Sequence, residues 1–168
     1  KKMYVGLDYR PIPILSFWFE RFFFGSLKPG TSHLMNTFIF GILLITIYSF
    51  VVVSKFYEDE KKLRLTAFIT AIIFLVHPNH VSVVANIKSR DELLAFLGAF
   101  GSLYFSLQFV DTKKILHLLF SFISIMLGML AKESAITFVA LIPVTIFFFR
   151  KTSMKNYAWL MIPLVIAT

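Results

Sequence analysis

LMNTFIFGILLITIYSFVVV, residues 34–53, is twenty residues long and carries no charge. A helix of that length rises about 30 Å, the thickness of a bilayer's hydrocarbon core. Comparable apolar runs follow at 63–77, 93–110, 115–131 and 134–149, and the chain closes on YAWLMIPLVIAT. Of the 168 residues, 58% are hydrophobic and only 15% charged, against about 45–50% and about 25% in soluble domains. The expected fold is therefore all-α and multi-pass in the membrane, with about five full spans and a truncated sixth. Residues 115–149 as one helix would run about 50 Å, too long for one crossing, so Lys132-Glu133-Ser134 marks a break.

Upstream of the first span, PIPILSFWFERFFFG is rich in aromatics with charged tips, as suits a helix lying at the membrane–water boundary. Gly25 ends it, Pro29-Gly30 makes a turn, and Ser32 is placed to cap the next helix. Residues 1–31 are thus the end of an external loop plus an interfacial helix, and residues 34–168 are membrane helices. Alternating crossings put 1–31, 77–92 and 131–134 on one face and 54–64, 111–114 and 150–156 on the other. The second face holds nine of the 17 lysines and arginines in about 22 residues, a density that assigns it to the cytoplasm. A net charge of +8 on loops between spans points to anionic lipid and phosphate as partners rather than nucleic acid. The absence of cysteine excludes disulfides and thiolate metal sites.

HPNHVSVVANIKSRDE, residues 77–92, concentrates ionisable chemistry in a chain that otherwise avoids it. Ionisable groups at membrane depth are candidates for function. Arg90 and Lys88 suit a phosphate, which guanidinium grips through two oxygens. Ser89 and Glu92 fit a capping box that opens the third span, and Asp91 suits a helix N-terminus; neither role excludes chemistry. His77 and His80 are spaced to share a helical face, and hydrogen bonding to substrate or backbone fits them better than metal ligation. Arg10 is either a snorkelling side chain or a second phosphate contact. Lys132 and Glu133 complement helix dipoles and also face the same compartment. Asp8 is a candidate general base. The three patches together read as one polar pocket at the membrane boundary.

YRPIPILSFWFERFFFG resembles the R/K-P-P-L-x-x-W start of the second membrane helix in polyprenyl-phosphate-sugar enzymes of the GT-C glycosyltransferase superfamily. HPNHVSVVANIKSRDELLA and LAKESAITF resemble H-P-x-H-x-E-x-V-A-x-I-x-x-R-x-E and L-x-K-E-x-x-I-T-F of bacterial relatives of the transmembrane and tetratricopeptide-repeat family, grouped with the protein O-mannosyltransferases. Ser82 stands where that family often has Glu. The resemblance implies a partial GT-C-like module lacking its first helix and its carboxyl-terminal part. It implies transfer of a sugar, such as mannose, from a polyprenyl-phosphate donor to a hydroxyl of a protein or glycan. The site would face outward from a bacterial plasma membrane. Arg90, Lys132 and Arg10 would hold the donor phosphate, and His77, His80, Asp91, Glu92 and Glu133 would line the pocket. The family's acidic pair lies upstream of this chain, which makes Asp8 a poor substitute for it. No cofactor is implied beyond the donor lipid, and the need for a divalent metal is left open. The rival expectation is a transporter of lipid-linked sugar, which would use the same cations without a base.

Overall fold

In the computed structural model, residues 10–25 and 28–150 are described, and they are helical almost throughout. Helix α1 is Pro11–Phe24, α2 Pro29–Ser54, α3 Glu60–Val76, α4 Pro78–Ala85, α5 Arg90–Thr112, α6 Ile115–Ala131 and α7 Thr137–Phe149. Single 3-10 turns, Ile87–Ser89 and Glu133–Ile136, lead into α5 and α7. Among the described residues, two helical segments are long and apolar enough to cross a bilayer, Pro29–Ser54 and Ile87–Thr112. Helices α3 and α4 meet at a 59° bend and only together have the length and apolar character of a third, as a broken span or a re-entrant loop. The remaining apolar helices, α6 and Glu133–Phe149, are shorter. The expected sixth span and Asp8 lie outside the described residues.

Local chemistry sets the breaks. Arg10 is extended (φ −118°, ψ 85°) and Pro11 opens α1, whose missing N–H would have had no helical partner. Gly25 ends α1 in the left-handed region at φ 71°, where a Cβ would be strained. The Asp59 carboxylate accepts from the Lys61 and Lys62 amides at 2.9 and 3.4 Å and starts α3. Pro78 cannot continue α3. Its neighbour His77 turns its Nδ1 to accept from the Asn79 amide at 3.3 Å, which starts α4.

Two sequence-based caps are corrected. Helix α2 starts at Pro29 after an extended Lys28, so Ser32 already lies inside it and its hydroxyl donates to Glu20. The Ser89–Glu92 capping box does not form. Ser89 makes no side-chain cap, Asp91 Oδ1 accepts from the Glu92 amide at 2.8 Å, and the Glu92 carboxylate reaches Lys132.

Helices α5 and α6 form the antiparallel centre. Gly98 and Gly128 let the two backbones touch: a Cβ on Gly98 would fall 2.5 Å from the Ser124 carbonyl oxygen. Below that crossing, the hydroxyls of Ser102 and Ser106 lie 3.0 and 2.8 Å from that of Ser121, and all three serines are buried. Hydroxyls buried in a pair of apolar helices are satisfied only by one another or by backbone, so the trio sets the register of the hairpin. Leu103, Leu107, Ile125, Ile142 and Ile146 fill the core beside it.

The far end of the bundle is closed by Arg150. Its guanidinium donates to the Val53 and Ser54 carbonyls at 2.6 and 2.9 Å and to both Asp111 oxygens at 2.6 and 3.0 Å. One side chain thereby caps α2 and ties it to the ends of α5 and α7.

Candidate functional site

The opposite end gathers the three patches that the sequence assigned to one face. Arg10 donates to the Asp91 carboxylate and, at 3.2 and 3.4 Å, to both oxygens of Glu133. Lys132 donates to Glu92. Because Asp91 adjoins Glu92 and Lys132 adjoins Glu133, these pairs close a ring that joins the start of α1, the first turn of α5 and the α6–α7 junction. The ring holds two cations among three carboxylates, each cation lying between two of them. Its exposure is graded, from 13% for the Asp91 side chain to 75% for Glu133. Lys88 is exposed on the 3-10 turn that leads into α5.

Arg90 is placed differently. Its side chain is 0% exposed, as is that of Glu20, and the two pair at 2.7 Å. Arg90 Nε donates to Asn36 Oδ1 at 2.8 Å, and a terminal nitrogen donates to the Ser32 carbonyl at 3.1 Å. The Phe17 ring lies 3.9 Å from the guanidinium carbon. All of these partners are protein, so the guanidinium meant for a phosphate in the sequence reading is engaged beneath α1. The Glu20 carboxylate also accepts from the Ser32 hydroxyl and, at 3.1 Å, from Thr31. Burial pushes its pKa up, but the Ser32 hydroxyl, the Arg90 guanidinium and Thr31 outweigh that and hold it below the ordinary value.

The histidines stay side by side, ring centroids 5.2 Å apart, but take different partners. His80 stacks on Phe74 with ring centroids 3.8 Å apart, and it lines a cavity of about 190 Å³ with Asn79, Glu92 and Phe96. His77 serves the start of α4 instead and is exposed. Among the described residues no three His, Asp or Glu side chains converge as a metal ion would require. A larger cavity, about 410 Å³, runs into the apolar zone from Ile12 and Leu94, neighbours of the ring, to Tyr104 and Leu127.

Glu20, Asn36, Ser32 and Thr31 are the members that sequence reasoning missed. Their signal was present: Pro13, Phe17 and Glu20 share one helical stripe of α1, and Asn36 is a lone amide in an apolar run. A carboxylate on the inward stripe of an interfacial helix calls for a buried cation.

In sequence, the chain is similar to segments of known proteins. The chain is 35% identical over 143 residues to protein O-mannosyl-transferase TMTC1 of Mus musculus, covering 77% of this chain and 14% of that protein. It is 33% identical over 98 residues to TMTC3 of the same organism, 56% of this chain and 10% of that protein. With TMTC4 of Homo sapiens it shares 28% over 154 residues, 80% and 20% respectively. The chain thus spans a seventh to a fifth of the length of TMTC1 and TMTC4. These relatives are animal proteins, whereas the motifs had suggested bacterial ones. No family profile and no solved structure matches the chain.

Proposed function

From the premise that this chain is homologous to protein O-mannosyl-transferases, we propose that it forms the donor-binding membrane segment of a glycosyltransferase of the GT-C type. The reaction moves a sugar, mannose by analogy with the relatives' names, from a polyprenyl-phosphate carrier to a protein hydroxyl on the extracytoplasmic side. The observation that carries this reading is the closed ring of Arg10, Asp91, Glu92, Lys132 and Glu133 at one end of α5.

The chemistry follows from the ring. Transfer breaks the bond between the sugar's anomeric carbon and the phosphate oxygen, and the acceptor oxygen takes the phosphate's place. The acceptor gives up a proton to a base, and the departing phosphate keeps the bonding electrons and needs cations. Lys132 and Arg10 are the cations within reach, and Lys88 adds positive charge on the open side. A phosphate seated on them displaces carboxylates. The ring has one carboxylate more than it has cations, and Glu133, the most exposed, is free to turn toward an acceptor. The bacterial plasma membrane of the sequence reading is not carried forward, since the relatives at hand are animal proteins.

The test uses the full-length protein in lipid vesicles, mannose-labelled dolichyl phosphate mannose and a Ser/Thr-rich acceptor peptide. Lys132→Ala lowers transfer roughly a hundredfold, the scale of losing one stabilising contact to a developing charge. Lys114→Ala, on the opposite face, leaves it unchanged. Undiminished transfer by Lys132→Ala overturns the proposal.

A further inference from the structure

Helix α1 presents its apolar side outward: Trp18, Phe19, Phe22 and Phe23 are all exposed, and Pro13 and Glu20 are its only buried residues. Apolar packing against the bundle is therefore a thin hold, and the polar contacts carry it. Those contacts have a pattern. Arg90 and Asp91, consecutive on the first turn of α5, pair with opposite ends of α1. Arg90 takes Glu20 and Asp91 takes Arg10, ten residues apart and so about 15 Å along the helix. Reversing α1 would set Arg10 against Arg90 and Glu20 against Asp91, like charge against like, and sliding it would break both pairs.

We infer that Glu20 and Arg90 form a clamp that seats α1 on the bundle and thereby places Arg10 in the charged ring. Glu20 is then a positioning residue for the reaction proposed above, on which its functional role rests, and Arg90 acts through Glu20 and not on the donor phosphate. The second anchor of the clamp is α2, whose Thr31, Ser32 and Asn36 hold the two partners from the other side. Removing either partner leaves the other charge buried and unpaired, so the two losses are one event.

The experiment is a double-mutant cycle of Glu20→Gln, Arg90→Gln and both, in the full-length protein. Seating of α1 is read by maleimide labelling of Ile12→Cys, whose half-buried side chain packs near Ala95 and Ala131. Ser106→Cys, deep between α5 and α6, is the control for unfolding. Each Gln variant labels at Ile12→Cys roughly tenfold faster and raises the KM for dolichyl phosphate mannose, while the double variant stays within about twofold of the worse single, as coupled partners require. Three results overturn the clamp: Ile12→Cys still protected in both single variants, losses that multiply in the double variant, or labelling of Ser106→Cys as well. Multiplied losses would mean that Arg90 reaches the donor itself. The labelling arm needs no turnover, so faster labelling in a protein without transfer refutes the reaction and leaves the clamp standing.

Discussion

Gly98→Ala is the sharpest stability prediction, because the contact it would violate is backbone on both sides. The added Cβ falls 2.5 Å from the Ser124 carbonyl oxygen and 2.6 Å from both N and Cα of Gly128. To restore an ordinary 3.4 Å contact from 2.5 Å, α5 and α6 must part by about 0.9 Å at their crossing. That separation also stretches the hydroxyl contacts of Ser121 with Ser102 and Ser106. Overpacking of this kind costs about 1–3 kcal/mol, and rigid backbone puts it at the upper end. Alanine's better helix propensity offsets about 1 kcal/mol, leaving a net loss of about 2 kcal/mol. At roughly 2–4 °C per kcal/mol for a chain of this size, the midpoint falls by roughly 4–8 °C. The assay is the temperature at which detergent-solubilised protein loses its monodisperse peak. Gly101→Ala meets only the Ser124 side chain, at 3.3 and 3.5 Å, and Gly41→Ala meets nothing within 4 Å; both stay near wild type. Equal midpoints for Gly98→Ala and Gly101→Ala would refute the close crossing.

Glu20 predicts an acid-labile helix. Its pKa is lowered in the folded protein from an ordinary value of 4.5, so its contribution is complete above that value and is lost as pH falls through the lower folded one. Hydrogen exchange of α1, corrected for intrinsic rates, is therefore flat from neutral pH to about 4.5 and rises below it; in Glu20→Gln the dependence is weaker. At the other face, Arg150→Ala removes charge-assisted bonds to Val53, Ser54 and Asp111. It costs about 2 kcal/mol in the same thermal assay, more than Asp111→Asn, which leaves the α2 carbonyls capped.

Much of the fold was legible because bilayer thickness and the helical rise leave few options for an apolar run of about twenty residues. Ile115–Ala131 has the expected ends, Gly25 stops α1, and Lys132 to Ser134 carries the predicted break. The helix beginning at residue 93 in the sequence reading starts instead at Arg90, because its first charged turn is part of the helix and points into the ring. The shared face of Arg10, Asp91, Glu92, Lys132 and Glu133 followed from counting crossings alone. What did not follow is who pairs with whom. Charge in a loop announces ionisable chemistry, but burial decides whether the charge meets ligand or protein, and burial depends on packing between distant segments. Arg90 and Glu20 are seventy positions apart, so the amphipathic stripe of α1 marked Glu20 as inward without naming its partner. Glu92 shows the converse: a local capping rule competed with a cation forty residues away, at Lys132, and lost.

The central claim is that the ring on the α1 side of the bundle receives the donor's phosphate. Binding of dolichyl phosphate to the purified full-length protein tests it without turnover. Arg10→Ala and Lys132→Ala each raise the Kd about tenfold or more, the scale of a lost charge-assisted contact, while Lys113→Ala on the far face leaves it unchanged. Unaltered binding in the first two variants, or an equal loss in the third, would contradict the account.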